Sequence, residues 1–446
     1  MNFSQQEVLH DYRIACESRE ASLLGRKEVF MGRAKFGIFG DGKEIAQLAM
    51  AKVFRQGDFC AGYYRDQTFM LAIGELTIQQ YFAQLYAHAS VVAEPASGGR
   101  MMNSHFGTRM LAENGDWKKL SQLKNVAAGI SSNGSQMPRL VGLAYASKLF
   151  RENPLLAPLS NFSNQGHEIV FGTIGNAATS EGMFFEAINA AGVLQIPMLL
   201  SVWDDGYGIS VPNEYHTTKQ SISQALAGFQ RTATEPGIEI FAVKGWDYTA
   251  LCKVYQQAAE LCRQEHVPIL VHVQEMTQPQ GHSTSGSHER YKSQERLAWE
   301  ATYDCNKQMR IWLLANNLAT AEQLATIEQA ARKEAKRQRD AAWEAFTADI
   351  KKDYTEALNL LQTSPTHQAL AKIIEQLSTV QNPTRLHATR AVKQALYQLG
   401  DTPYIAKKPL LAWLQKHERA NKKRFSTHLY SESVDAALRE IGRAHV

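Results

Sequence analysis

A parallel β-sheet with helices on both faces is the fold the sequence predicts, and three observations predict it. Four short apolar runs occur between residues 167 and 275: HEIVFGTIG, IPMLLSVW, IEIFAVKG and VPILVHVQE. Helical patterns, SEGMFFEAINAAGVL and YTALCKVYQQAAELC, lie between them. The alternation of apolar runs with helices of about 10–15 residues implies right-handed crossovers between parallel strands. In such sheets ligands bind at the carboxyl ends of the strands, so the residues that follow each run carry the chemistry.

The elements follow in chain order. Residues 1–60 read as helices, because Val8, Tyr12 and Ala15 recur at helical spacing. A loop-rich stretch runs from Gly62 to about Pro138, and a helical pattern returns from Met137 to Phe150. The strands and helices of 167–275 come next. Beyond about residue 295 the composition shifts. Thr320-x-x-Gln323 spells a capping box, and the run to Gln362 is rich in Ala, Glu, Lys and Arg. Leu324, Ile327 and Ala331 share one face, so a long surface helix or hairpin is expected. The cluster Arg332, Lys333, Lys336, Arg337 and Arg339 reads as a solvated face.

Composition narrows the function. The chain has 446 residues, 44% hydrophobic and 21% charged, with a net charge of +4. That is an ordinary globular balance, and it lacks the concentrated basic field that non-specific nucleic-acid binding needs. Five widely spaced cysteines and no C-x-x-C pair argue against a disulfide framework or a zinc site, and point to a reducing cytoplasm. The polar start lacks a signal core, and the longest apolar runs are too short to span a membrane.

The chemistry concentrates in residues 172–210. One strand ends in the small-residue turn Gly175-Asn176-Ala177-Ala178, ahead of a helix that starts near Ser180. The next ends in Asp204-Asp205-Gly206-Tyr207. Small residues let backbone N–H groups approach an anion, and a helix N-terminus adds its positive dipole end. Asn176 and Asp205 each lie just past a strand, 29 positions apart. If the strands are neighbours, both side-chain oxygens enter one crevice. An oxygen-lined crevice beside a phosphate cradle suits magnesium and a diphosphate. A short G-N-A taken alone fits any strand–turn–helix.

This stretch resembles the thiamin-diphosphate motif: a Gly-Asp-Gly or Gly-Glu-Gly triplet, about thirty residues, then Asn-Asn. With SEGMFFEAIN, the Pro-led strand and the G-Y-G-I-S tail, it resembles the alpha subunit of the decarboxylating component of 2-oxo acid dehydrogenase complexes. The resemblance covers roughly residues 5–310 and implies the thiamin-diphosphate-binding fold. It places Asn176 at the family's magnesium carboxylate, Asp205 at its second asparagine, and the main-chain carbonyl of Tyr207 as third ligand. Carboxylate and amide have exchanged places, which keeps both ligand oxygens and the formal charge. Gly175, Ala177 and Ala178 then form the diphosphate turn. Trp203 stands where the family has an arginine, which removes one phosphate contact.

Other segments carry the likeness further. Gly62-Tyr63-Tyr64-Arg65 resembles the Gln-Tyr-Arg segment that meets the diphosphate, which makes Tyr64 and Arg65 cofactor residues. GGRMMNSHFG (98–107) and ISSNGSQMPR (130–139) match in order and spacing. Near the second the family places the aminopyrimidine and, in some members, a potassium ion, so Ser132 and Gly134 are neighbours of the site. The loop from Thr277 to Ser293 resembles the active-site loop, with His282 as the histidine that binds diphosphate and positions substrate. Ser-Thr-Ser after His282 leans toward branched-chain 2-oxo acids such as 3-methyl-2-oxobutanoate, and Ser283 matches a serine phosphorylated in animal relatives. Gly40-Asp41-Gly42 spells the triplet literally but closes no apolar strand, and reads as a structural loop.

The resemblance implies oxidative decarboxylation of a 2-oxo acid and acyl transfer to a lipoyl carrier, with thiamin diphosphate and Mg2+ as cofactors. It also implies a beta half, separate or fused, a lipoyl acyltransferase core and self-association. The glutamate that activates the cofactor comes from the beta half, so the chain alone is expected to be inactive. A pyruvate-specific alpha half, a transketolase-like half and a non-catalytic assembly module are the competing readings. The expected organisation is a cofactor domain over 1–310 and a helical extension over 311–435. KRFSTHLYSESV (423–434) reads as a linker toward another unit. EIGRAHV (440–446) reads as a non-native tail from a truncated gene model.

Overall fold

The computed structural model describes residues 3–363, 368–400 and 403–425. The expected linker from residue 426 and the tail 440–446 lie outside the described residues. The chain forms two compact units, Met1–Asp340 and Ala341–Val446.

In the first unit, helices α1 (Gln5–Phe30) and α2 (Glu44–Val53) precede strand β1 (Phe59–Ala61). Helices α3 (Gln67–Ala72) and α4 (Ile78–Leu85) and strand β2 (Asn125–Val126) follow. Next come α5 (Gln136–Glu152), β3 (Val170–Gly175), α6 (Gly182–Leu194) and β4 (Met198–Trp203). A two-stranded turn, β5 (Tyr207–Gly208) and β6 (Val211–Pro212), leads to α7 (Ile222–Ala225). β7 (Glu239–Lys244), α8 (Tyr248–Glu265) and β8 (Ile269–Gln274) complete the sheet. α9 (Gln294–Thr302), α10 (Cys305–Ala315) and the start of α11 (Ala321–Thr363) close the unit.

The sheet has six strands in the order β2-β1-β3-β4-β8-β7, all parallel, as the alternating pattern predicts. All four apolar runs are strands. β1 and β2 are the surprise: they have three and two residues, too few to show a period, and sit at the boundary of and inside the stretch read as loops. α3 and α4 also lie in that stretch, α4 behind a Thr77–Gln80 capping box.

Each strand sends alternate side chains to opposite faces. Met198, Leu200 and Val202 of β4 join Val170 and Ile174 of β3 under Leu140 of α5 and Phe184 and Ile188 of α6. On the same strand, Ser201 meets the Tyr255 hydroxyl of α8 at 2.8 Å and Met50 of α2. α5 comes close to β3 because residue 172 is glycine: a Cβ there would lie 2.4 Å from Leu140 Cδ2.

The capping box at α11 is present, with both reciprocal bonds formed between Thr320 and Gln323. α11 is one continuous helix of 43 residues, not a hairpin, and buries Leu324 and Ala331. Of its basic cluster, Arg332 pairs with Glu20 at 3.2 Å and Arg337 with Glu334 at 2.6 Å, and both stay well exposed. Arg339 departs from the expected solvated face by turning inward to Glu28 at 2.6 Å.

The second unit is helical. The end of α11 packs with α12 (Gln368–Ser378), α13 (Arg385–Gln398) and α14 (Tyr404–Phe425) around Leu361, Leu377, Val392 and Leu410. Asp353 accepts from Arg385 at 2.7 Å beside that core. No helix among the described residues is long and apolar enough to cross a membrane.

Candidate cofactor site at the carboxyl edge of the sheet

β3 and β4 run in register, Gly175 opposite Trp203, and the Asn176 N–H donates to the Trp203 carbonyl at 3.2 Å. The chain leaves both strands at the same level, so Asn176 and Asp205 line one cavity of about 350 Å³. Gly175, Ala177, Ala178 and Tyr207 line it as well. So do Tyr64, Arg65, Ser132 and His282, from three further stretches of sequence. Of the residues expected at the site, Gly134 alone is not a wall residue. It has φ +102°, and a Cβ there would face Glu181, which does line the cavity, so the glycine stands behind the wall.

The turn after β4 is held by its own carboxylates. Asp205 accepts from the Tyr207 N–H at 3.2 Å, and Asp204 from the Gly206 N–H at 2.8 Å. Gly206 has φ +83°, the left-handed conformation that glycine adopts without strain. β5 then passes so near the other turn that a Cβ on Gly208 would lie 2.5 Å from the Ala177 Cβ. Small residues on both sides let two backbones share the cavity wall.

Sequence reasoning missed Lys43. It is 1% exposed, and its ammonium donates to Asp205 Oδ2 at 3.0 Å, the Thr277 carbonyl at 2.9 Å and Gln278 Oε1 at 2.7 Å. Those three acceptors match its three N–H bonds. Burial works to raise the Asp205 carboxyl, but the charges of Lys43 and Arg65 outweigh it and hold the group below the usual carboxylate range. The Gly40-Asp41-Gly42 turn is the structural loop the sequence suggested. A Cβ on Gly42 would strike the Thr277 carbonyl at 2.1 Å, and Asp41 caps the Gln280 N–H at 3.0 Å. Its unexpected contribution is to deliver Lys43, the next residue, to the carboxyl edge.

Arg65 is 4% exposed, and its fork is partly spent. It donates to the Phe39 carbonyl at 2.5 Å and the His282 carbonyl at 3.0 Å. This arginine therefore ties the His282 loop to the body of the unit, with its remaining donors left for a ligand. The loop is also latched at Thr284, whose N–H donates to the Gly37 carbonyl and whose hydroxyl accepts from the Gly37 N–H, both at 2.9 Å. The His282 ring meets Tyr64 edge-on at 6.3 Å. Burial first, then Arg65 and Lys43, bring its pKa down to about 4. Lys292, at the far end of the loop, lines the cavity and pairs with Glu300 at 2.7 Å.

Trp203 is built into the interior. Its indole N–H donates to Asp66 at 3.2 Å, and Asp66 also accepts from the Thr173 hydroxyl and the Tyr63 N–H. Burial pushes that carboxyl up to about 6. Behind Gly208, His216 Nε2 is buried and has no hydrogen-bond partner among the described residues. It lies 3.6 Å from where a Gly208 Cβ would be.

The donor set fits a divalent ion carrying a diphosphate. Among the described residues no group of three or more His, Cys, Asp or Glu side chains could hold a metal by itself. One carboxylate and one amide oxygen on the cavity wall form the sparse, hard set that magnesium accepts when phosphates supply the rest. Arg65 and Lys292 on the cavity wall supply donors for anionic oxygens.

A parallel sheet covered by helices, with its cavity at the carboxyl edge, defines an α/β protein of the cofactor-binding kind. Residues 22–351 match the dehydrogenase E1 component family, and the chain belongs to it. It is 28% identical over 277 residues to the 2-oxoisovalerate dehydrogenase subunit alpha of Bacillus subtilis, which covers 61% of this chain and 71% of that one. Against the mitochondrial 2-oxoisovalerate dehydrogenase subunit alpha of Dictyostelium discoideum it is 26% identical over 301 residues, 67% of this chain and 59% of that one. The mitochondrial pyruvate dehydrogenase E1 component subunit alpha of the same organism is 25% identical over 305 residues, 68% of each chain. The chain thus spans less than two thirds of one of these relatives and little more than that of the other two.

Proposed function

We propose that this chain is the alpha part of a thiamin-diphosphate-dependent 2-oxo acid dehydrogenase decarboxylating component. A branched-chain 2-oxo acid such as 3-methyl-2-oxobutanoate is its preferred substrate, and a lipoyl group on a core acyltransferase takes the acyl unit. The observation that carries the proposal is the in-register ending of β3 and β4, which brings Asn176 and Asp205 to one cavity with Arg65, Lys292 and His282. The family match and the names of the relatives support the choice of cofactor and the lean toward branched-chain acids.

The Asn176 and Asp205 oxygens and the Tyr207 carbonyl hold Mg2+. Lys292, His282, Arg65 and the backbone of Ala177 and Ala178 meet the diphosphate. When bound, thiamin diphosphate supplies a carbon nucleophile and an electron sink for decarboxylation. The chain's own part is positioning and charge. Lys43 keeps Asp205 ionised, and Arg65 holds the His282 loop in place. At neutral pH the His282 imidazole is uncharged, able to donate one hydrogen bond and accept another. Tyr64 packs against it and keeps water from that side. A beta chain, separate or fused, provides the opposite wall, and self-association of the assembled unit is expected. The five cysteines are all free and buried, which supports placement in a reducing cytoplasm.

The test is decarboxylation of 3-methyl-2-oxobutanoate and of pyruvate by this chain reconstituted with a beta partner, with lipoyl-domain acylation as the second readout. Turnover only with the beta chain, and faster on the branched substrate, is expected. Ketose transfer without lipoyl acylation would overturn the reading.

A further inference from the structure

Asn176 is an amide where a metal ligand must present oxygen, and an amide can turn either end to the cavity. Its orientation is set from outside the cavity. Asp204, adjacent to the ligand Asp205, is the source. An ionised carboxylate only accepts hydrogen bonds. The Asn213 Nδ2 lies 3.1 Å from Asp204 Oδ1 and 3.3 Å from Oδ2, so Asn213 must turn its NH2 to that carboxylate. Its carbonyl oxygen then faces the other way and can take only a donor. The group there is Asn176 Nδ2, at 2.7 Å. With its NH2 committed, Asn176 is left with Oδ1 for the cavity.

The anchor is itself fixed. Asp204 Oδ2 lies 2.9 Å from His272 Nε2, and His272 Nδ1 lies 2.8 Å from the Ser223 hydroxyl. His272 is fully buried on β8, the neighbour of β4 in the sheet. With Nε2–H donated to Asp204, Nδ1 is the acceptor and Ser223 the donor. Donors therefore converge on the Asp204 carboxylate from two sides: from α7 through His272 of β8, and from Asn176 at the end of β3 through Asn213 after β6.

We propose that Asp204 and Asn213 are positioning residues that hold the Asn176 amide with its oxygen toward the cation site. The inference rests on the reading of the cavity as a divalent-cation and diphosphate site, and its test has one arm that needs neither. In protein labelled with [15N]asparagine, the side-chain NH2 pair of Asn176 is assigned by its loss in Asn176→Asp. That pair is expected to exchange slowly with solvent, and to move to a solvent-like shift with fast exchange in Asn213→Ala. An Asn176 pair unaffected by Asn213→Ala overturns the proposal.

The second arm is calorimetric titration of the full chain, reconstituted with a beta partner, with thiamin diphosphate and Mg2+. Asn213→Ala is expected to weaken binding by about tenfold or more, as loss of an outer partner of a metal ligand typically does. In an Asn176→Asp background the penalty should shrink, because a carboxylate presents oxygen at either end. Equal penalties in both backgrounds, with an unchanged unfolding temperature, overturn the proposal. If the parent chain reconstituted with a beta partner binds no cofactor while the NH2 pair still responds to Asn213→Ala, the functional reading fails and the orientation stands.

Discussion

The Lys43 ammonium and the Asp205 carboxylate form a 3.0 Å ion pair at the carboxyl edge of the sheet, joining a loop before α2 to the turn after β4. Lys43→Met removes the closest cation and leaves Asp205 with Arg65 and Lys292 as nearby positive charges. Breaking a buried pair from one side costs about 3–5 kcal/mol. The variant should unfold at lower urea than the parent. Mg2+ with thiamin diphosphate should recover part of the loss, because a bound divalent ion replaces the missing charge. Urea titrations with and without the cofactor check both statements; an unchanged midpoint would show that the pair is energetically neutral.

The exchange of amide and carboxylate between Asn176 and Asp205 makes a second prediction. Asp205→Asn removes the site's carboxylate and leaves Lys43 with two neutral acceptors, Thr277 and Gln278. Magnesium-dependent cofactor binding should weaken beyond the roughly 10–100-fold that loss of an outer partner costs. Adding Asn176→Asp returns one carboxylate to the cavity and should recover much of the affinity. Equal weakness in the single and double variants would mean that the two positions do not share one ion.

How far the site could be read from the sequence depended on range. Asn176 and Asp205 were legible because each follows a strand whose apolar run is plain, and two neighbouring parallel strands must end at the same edge. The long hydroxyl-rich loop marked a functional segment, but His282 was legible within it only through the resemblance to the family's active-site loop. Lys43 was not: nothing in Gly-Asp-Gly-Lys says that a lysine will reach a residue 162 positions away. Asn213 was hidden for the same reason, since its role exists only through Asp204 and His272. The short strands β1 and β2 carry too few residues to show a period, and they are strands only through long-range pairing, β1 with β3 and β2 with β1.

Gly172 sets how closely α5 can approach the sheet. A methyl group there would overlap Leu140 and come 3.1 Å from Leu200 Cδ1, and both leucines are fully buried. Gly172→Ala should therefore destabilise by about 1–3 kcal/mol, the usual cost of overpacking. Leu140→Ala empties the space the new methyl group needs. The double variant should be less destabilised than the sum of the singles, a non-additivity that denaturant midpoints would reveal.

His282 gives the pH prediction. Its pKa near 4 lies below the value of about 6.5 expected in the unfolded chain. Between those values the unfolded chain binds the extra proton and the native chain does not. The neutral ring's contribution to stability is thus complete above about pH 6.5 and is lost as pH falls through about 4. For this partly buried ring it is at most about 3 kcal/mol. His282→Asn should flatten that part of the stability–pH curve. In [13C]histidine-labelled protein, the resonance that disappears in His282→Asn should titrate near pH 4. Added pyrophosphate should move its midpoint upward, because an anion beside the ring favours the imidazolium against the push of Arg65 and Lys43. A midpoint near 6.5 in the free protein, unmoved by pyrophosphate, would place His282 in solvent and remove it from the diphosphate site.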